Sequence, residues 1–159
     1  MSSPFEIPGS VLDRMVERAE ADYPSETCGL AFTGVGGMEV VPLPNIQDDL
    51  HRRDPEAHPR DSRTAYAFDA GMLVRAIAER EAAGKSLTVI YHSHPDHDAY
   101  FSATDRREAA PPEWGEPTYP GAVYLVLSVR EGKFRRAAAF AWSEEAKDFV
   151  EREVMRLPV

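Results

Sequence analysis

The chain is nearly without cysteine: Cys28 stands alone among 159 residues. No intrachain disulfide can form, so nothing here signals an oxidising compartment. Apolar runs are also short, and none could span a bilayer. Residues 1–8 carry no basic stretch leading into an apolar one, so they do not read as a secretory leader. A cytoplasmic location without membrane attachment is the expectation. Positive charge is scarce as well. With 18 Lys and Arg against 27 Asp and Glu, the net charge is −9, and the basic footprint of a nucleic-acid binder is missing. Basic residues gather only at Arg52–Arg53 and Lys133–Arg136, which read as solvated faces; such patches can also meet an acidic protein partner.

What is present suits one folded domain spanning 1–159. The apolar share of 43% and charged share of 28% are ordinary for a globular chain, and the length is enough to bury a core. Val11, Met15 and Ala19 recur every four residues and predict a helix capped by Ser10 and ended near Pro24. Cys28–Thr33 and Met38–Leu43 read as strands joined through Gly34, Gly36 and Gly37, a hairpin signal. That glycine cluster lacks the lysine and helix of a phosphate loop. Asn45–Arg63 is polar and holds two prolines, and is expected to be a long loop in which His51 and His58 are solvated. Tyr66–Phe68 is expected as a short strand. Asp69 should cap a helix to about Ala83, stopped by Gly84, and Leu87–Tyr91 should be a buried strand. Beyond lie a short helix to Ala110, a loop over Pro111–Pro120, and strands at Ala122–Val129 and Phe134–Trp142. A last helix from Ser143 would bury Phe149, Val150, Val154 and Leu157. Strand, helix and strand in this order predict an α/β layer arrangement.

The chemistry concentrates between Tyr91 and Asp105. His92 and His94 stand two apart at a predicted strand end, so both rings point to one face and can share a metal ion such as zinc. Pro95 is expected to break the strand and open a cleft. A catalytic zinc takes a third protein ligand, His or carboxylate, and leaves one position free. Asp105 could supply it if the chain loops back. His97 and Asp98 compete, but would need a tight turn, and are expected to be exposed. Ser102 and Asp105 also form a capping-box pattern that would start a helix without any metal. Glu26, following Pro24, would by itself be a surface residue. Cys28 is expected to be a small buried residue rather than a nucleophile.

The combination resembles the JAMM (MPN+) metallopeptidase family, in its bacterial stand-alone branch. That signature is His-x-His-Pro, then Ser and Asp at fixed spacing, with a Glu upstream. His92, His94 and Pro95 match it, seven residues separate His94 from Ser102, and two separate Ser102 from Asp105. The segment from Pro24 to Gly29, carrying Glu26, is similar to the bacterial form, and Asn45 has its counterpart. The likeness runs from the first helix to about Val129. It implies a single-domain, cytidine-deaminase-like α/β fold with a central curved mixed sheet flanked by helices. It implies Zn2+ on His92, His94 and Asp105, Glu26 as general base, Ser102 as oxyanion donor and Asn45 in substrate binding. The implied reaction is hydrolysis of a peptide or isopeptide bond at the C-terminal Gly-Gly of a ubiquitin-like sulfur-carrier protein. Rival readings are a zinc amidohydrolase of a small molecule and a non-catalytic scaffold, the latter disfavoured because every ligand position is filled. A nucleobase deaminase is set aside, since His-x-Glu and Cys-x-x-Cys are missing. The loops 45–63 and 111–120 are expected to border the substrate groove. A homodimer is compatible with the sequence.

Overall fold

The structure, a computed structural model, describes residues 3–159. Its elements are β1 (Phe5–Pro8), α1 (Gly9–Asp22), β2 (Cys28–Gly34), β3 (Gly37–Leu43), α2 (Gln47–Arg53) and α3 (Ala70–Ala82), followed by β4 (Ser86–Pro95), α4 (Ala103–Ala109), β5 (Val123–Arg130), β6 (Lys133–Ser143), β7 (Asp148–Arg152) and β8 (Val154–Leu157). Six strands form a sheet in the order β3-β2-β4-β5-β6-β7, and β1 pairs with β8 separately. Only β4 and β5 run parallel within the main sheet. A parallel pair needs a crossover, and the segment containing α4 supplies it.

The sheet is buried on both faces. On one, Val11, Leu12, Met15 and Ala19 of α1 pack against Val89, Tyr91, Leu125 and Leu127. On the other, Ile90, Val126, Phe140 and Phe101 pack with Ala76 of α3 and Ala109 of α4. Alternation along β4 therefore sends Tyr91 and Ser93 towards α1, and His92 and His94 towards the α3–α4 side. This layer arrangement is the α/β fold expected, with a central mixed sheet between helices.

Several expectations are corrected. Pro95 does not break the strand: β4 runs through both histidines to Pro95 and pairs with β5 along the way. The ladder with β2 ends at His92, Ser93 N makes one further bond to the carbonyl of Thr27, and Pro95 follows where no donor is needed. The 45–63 loop contains α2. Asp48 and Asp49 in its first turn and His51, Arg52 and Arg53 in its last complement the helix dipole, so mixed charge here signalled a helix. Tyr66–Phe68 is not a strand; the N–H of Ala67 donates to Asn45 Oδ1 and its carbonyl accepts from Ile46 N. Ser10 lies inside α1 and does not cap it.

The final helix is absent. Its residues form β7 and β8, with Phe149 paired to Trp142 across β6 and packed edge-on against Phe101. Apolar residues at 149, 150, 154 and 157 allow a helical stripe, but an aromatic pocket takes Phe149 and leaves Val150 exposed. By contrast, Asp69 does cap α3, accepting from Met72 N at 3.0 Å, and Gly84 after it adopts φ +81°.

Candidate active site

Both imidazoles are buried on one face of β4, and their Nε2 atoms lie 3.2 Å apart. Asp105 reaches them from the first turn of α4. Its Oδ2 sits 3.3 Å from His92 Nε2 and 3.6 Å from His94 Nε2. The three side chains form a group whose ligand atoms all lie within 4.8 Å and which can hold a metal ion.

The helix that carries Asp105 is started by the capping box foreseen from the sequence. Ser102 Oγ accepts from Asp105 N at 3.0 Å, and Asp105 Oδ2 accepts from Ser102 N at 3.0 Å. Capping and convergence on the imidazoles are thus two uses of one carboxylate. Ser102 Oγ is engaged only as an acceptor among the described residues, so its O–H is free to donate into the cavity it lines.

The rings are oriented by their surroundings. His94 Nδ1–H donates to the carbonyl of Asp98 at 2.9 Å, which leaves Nε2 with its lone pair towards the cluster. His92 Nδ1 is buried without a partner among the described residues, so Nε2 is the nitrogen through which that ring interacts. Tyr66 stacks on His92 with centroids 4.5 Å apart and planes at 23°. Burial lowers the pKa of His92 against the opposing pull of Asp105, which keeps the ring neutral as a ligand must be. Burial raises that of Asp105, but the imidazoles and the Ser102 N–H outweigh it and hold the carboxyl below the usual range.

Glu26 is buried, at 5% exposure, and not a surface residue. It precedes β2 and faces the same cavity as His94, Ser102 and Asp105. Its pKa is pushed well up, first by burial and then by the charges of Asp105 and Glu108, with Arg60 opposing. Two backbone bonds place it: its N–H donates to Ser62 at 2.7 Å and its carbonyl accepts from Asn45 Nδ2 at 3.0 Å. Asn45 does not line the cavity. Its amide bonds internally to Glu26, Ala65, Gln47 and Ala67, which makes it a brace under Glu26. Cys28 is buried, and its thiol is pushed up to about 12 by burial and by Glu26, so it stays protonated.

The cavity holds about 570 Å³. Gln47 and residues 58–60 of the 45–63 region wall one side together with residues 64–66 beyond it, whereas the 111–120 loop adds only Tyr119 to a smaller neighbouring pocket of about 280 Å³. His97 and Asp98 are exposed; His97 reaches the rim without joining the metal-ligating group. His51 and His58 also stand outside that group; His51 Nδ1–H donates to the carbonyl of His58, and His58 lines the cavity. Sequence reasoning missed Tyr66, Arg60, Thr104 and Arg107 around the cavity. It also missed Ser93, whose place between the two histidines was the available signal: a buried residue there must face the opposite layer.

A family model for prokaryotic homologs of the JAB domain matches residues 8–143. The desampylase of Haloferax volcanii is 33% identical over 122 residues, covering 75% of this chain and 73% of that protein. The CysO-cysteine peptidase of Mycobacterium tuberculosis is 31% identical over 125 residues, covering 79% and 73%. Among solved structures, a protein from Desulfitobacterium hafniense superposes with a TM-score of 0.69 at 20% identity, covering 98% of this chain and 94% of that one, a likeness of fold. The matched span contains Glu26, both histidines and Asp105, and the chain belongs to the family of prokaryotic JAB-domain homologs.

Proposed function

We propose that this chain is a zinc-dependent hydrolase. It cleaves the amide that follows the C-terminal Gly-Gly of a ubiquitin-like sulfur-carrier protein, in the cytoplasm, to release an amino acid or trim the tail. The observation that carries the reading is the meeting of His92, His94 and Asp105 at the wall of a cavity lined by His94, Asp105, Glu26 and Ser102. The substrate class is supported by the relatives' names, desampylase and CysO-cysteine peptidase.

Zinc suits the donors, two neutral imidazoles and one carboxylate. Four-coordinate zinc with bonds of about 2.0–2.1 Å places its ligand atoms about 3.3 Å apart. The separations here are 3.2, 3.3 and 3.6 Å. When bound, zinc supplies Lewis acidity that polarises a carbonyl and eases proton loss from water.

The protein's own groups do the rest. Glu26, with its raised pKa, takes the proton of the attacking water and returns it to the leaving amine. Ser102 O–H donates to the carbonyl oxygen as negative charge gathers there. A C–O bond forms, the C–N bond breaks, and the carrier leaves with a glycine carboxylate. The enzyme forms no covalent intermediate.

The test is a ubiquitin-fold protein ending in Gly-Gly and extended by one residue, followed by mass spectrometry with zinc and with a chelator. Loss of that residue only with metal supports the reading. Failure to take up a divalent metal, or an unchanged mass with zinc loaded, overturns it.

A further inference from the structure

We propose that Arg60 and Arg107 clamp the free α-carboxylate of the residue being released, which makes this protein an exopeptidase rather than a remover of carriers from lysine side chains. The proposal rests on the hydrolase reading above and narrows its substrate.

Both arginines line the cavity shared by Glu26, His94 and Asp105. They converge on one hydroxyl. Arg60 Nη2 donates to Thr104 Oγ1 at 2.8 Å, and Arg107 Nη2 donates to the same oxygen at 3.5 Å. The second arm of Arg60 donates to the carbonyl of Thr64 at 3.3 Å, which holds the guanidinium across the gap between the 58–66 wall and α4. Thr104 directly precedes Asp105, so both charges gather about one residue from the proposed metal ligand.

Neither guanidinium has a carboxylate partner among the described residues. Other arginines, Arg14, Arg18, Arg53 and Arg75 among them, also lack one, but of the described arginines only Arg60 and Arg107 line this cavity. Glu108 lines the same cavity and senses both arginines, yet forms no ion pair with either. Two forked cations beside a reaction site, bound only to neutral oxygens, match a planar carboxylate arriving with the substrate.

Substrate chemistry fixes where that carboxylate must be. In a C-terminal amino acid the leaving nitrogen is bonded to the α-carbon, and the α-carbon carries the carboxylate. The anion therefore lies within one residue of the scissile bond. In an isopeptide the leaving nitrogen ends a four-carbon lysine stem, and no carboxylate lies within that reach. A site built for the first substrate leaves two cavity-wall cations unanswered by the second.

The test uses zinc-loaded protein and a ubiquitin-fold substrate ending in Gly-Gly-Ala, made once with a free C-terminus and once as the C-terminal amide. Charge-assisted bonds predict a preference of about 10- to 100-fold in kcat/KM for the free acid. In R60Q and in R107Q the ratio of acid to amide should fall towards one, with R60K and R107K between. Inactive E26Q should bind the acid more tightly than the amide, a readout independent of turnover. Equal cleavage of both substrates by the unaltered protein overturns the clamp while leaving the hydrolase intact. So does an undiminished preference in both arginine variants that keep their melting temperature. If neither substrate is cut, the hydrolase reading falls, and the clamp with it.

Discussion

Ser93 Oγ accepts a hydrogen bond from Thr27 N at 2.8 Å, and Ser93 N donates to the carbonyl of Thr27 at 3.1 Å. This reciprocal pair ties the residue between the two histidines to the residue after Glu26. S93A leaves the buried Thr27 N–H without a partner, at a cost of about 1–3 kcal/mol. Turnover should fall while metal content stays full, because the histidines keep their places while the segment carrying Glu26 keeps only the backbone half of this pair. Calorimetry with metal analysis checks this; a variant as stable and as active as the parent would refute the tether.

E26Q should abolish most turnover, about 10²- to 10⁴-fold, and keep the metal. It should also stabilise the metal-free protein. Burial raises the Glu26 pKa in the folded state above its unfolded value. Stability from such a group is complete below the ordinary carboxylate pKa and is lost as pH rises through the raised value. Gln removes that loss. Melting temperatures of chelated parent and E26Q should therefore diverge from pH 5 to pH 8, with E26Q higher. Parallel curves would count against a raised pKa.

H94A should lose metal and activity together. Zinc at about a hundredfold over its dissociation constant adds about 2.7 kcal/mol to the parent. For a chain of this size that is a rise of roughly 5–10 °C in melting temperature. The rise should vanish in H94A and persist in E26Q.

Ser102 has two duties that substitution can separate. S102A removes an N-cap, worth about 1 kcal/mol, together with the oxyanion donor. S102G costs only a few tenths in capping. Both should lose turnover by about 10²- to 10³-fold. Activity that tracks helix stability across the pair would reduce Ser102 to a cap.

Gly29 faces Tyr91 across β2 and β4. A Cβ there would lie 2.7 Å from Tyr91 Cε1, in a region with no slack. G29A should cost about 1–3 kcal/mol and lower metal occupancy, since Tyr91 adjoins His92. The Tyr91 hydroxyl is itself buried without a partner. Y91F should be neutral or stabilising, and G29A should cost less in that background.

The site was legible because its local geometry is written in spacing. Two histidines on a strand share a face, and Ser102 with Asp105 begins a helix, whatever the rest of the chain does. Helix α1 was legible through its four-residue repeat. What escaped depends on distant partners. Strand β1 is four residues long and finds β8 at the far end of the chain. Phe149 reads equally as helix or strand until Phe101 and Trp142 surround it. That Asn45 braces Glu26 emerges only from its four bonds to Glu26, Ala65, Gln47 and Ala67. Arg60 joins the cavity only because the 58–66 wall folds over α4.

Because a single oxygen of Asp105 answers both the start of α4 and the two imidazoles, the chain cannot shed its ion-holding chemistry for free. A substitution there unravels a helical turn as it empties the site. Any descendant that survives as an inert relative would have to find another way to begin that helix.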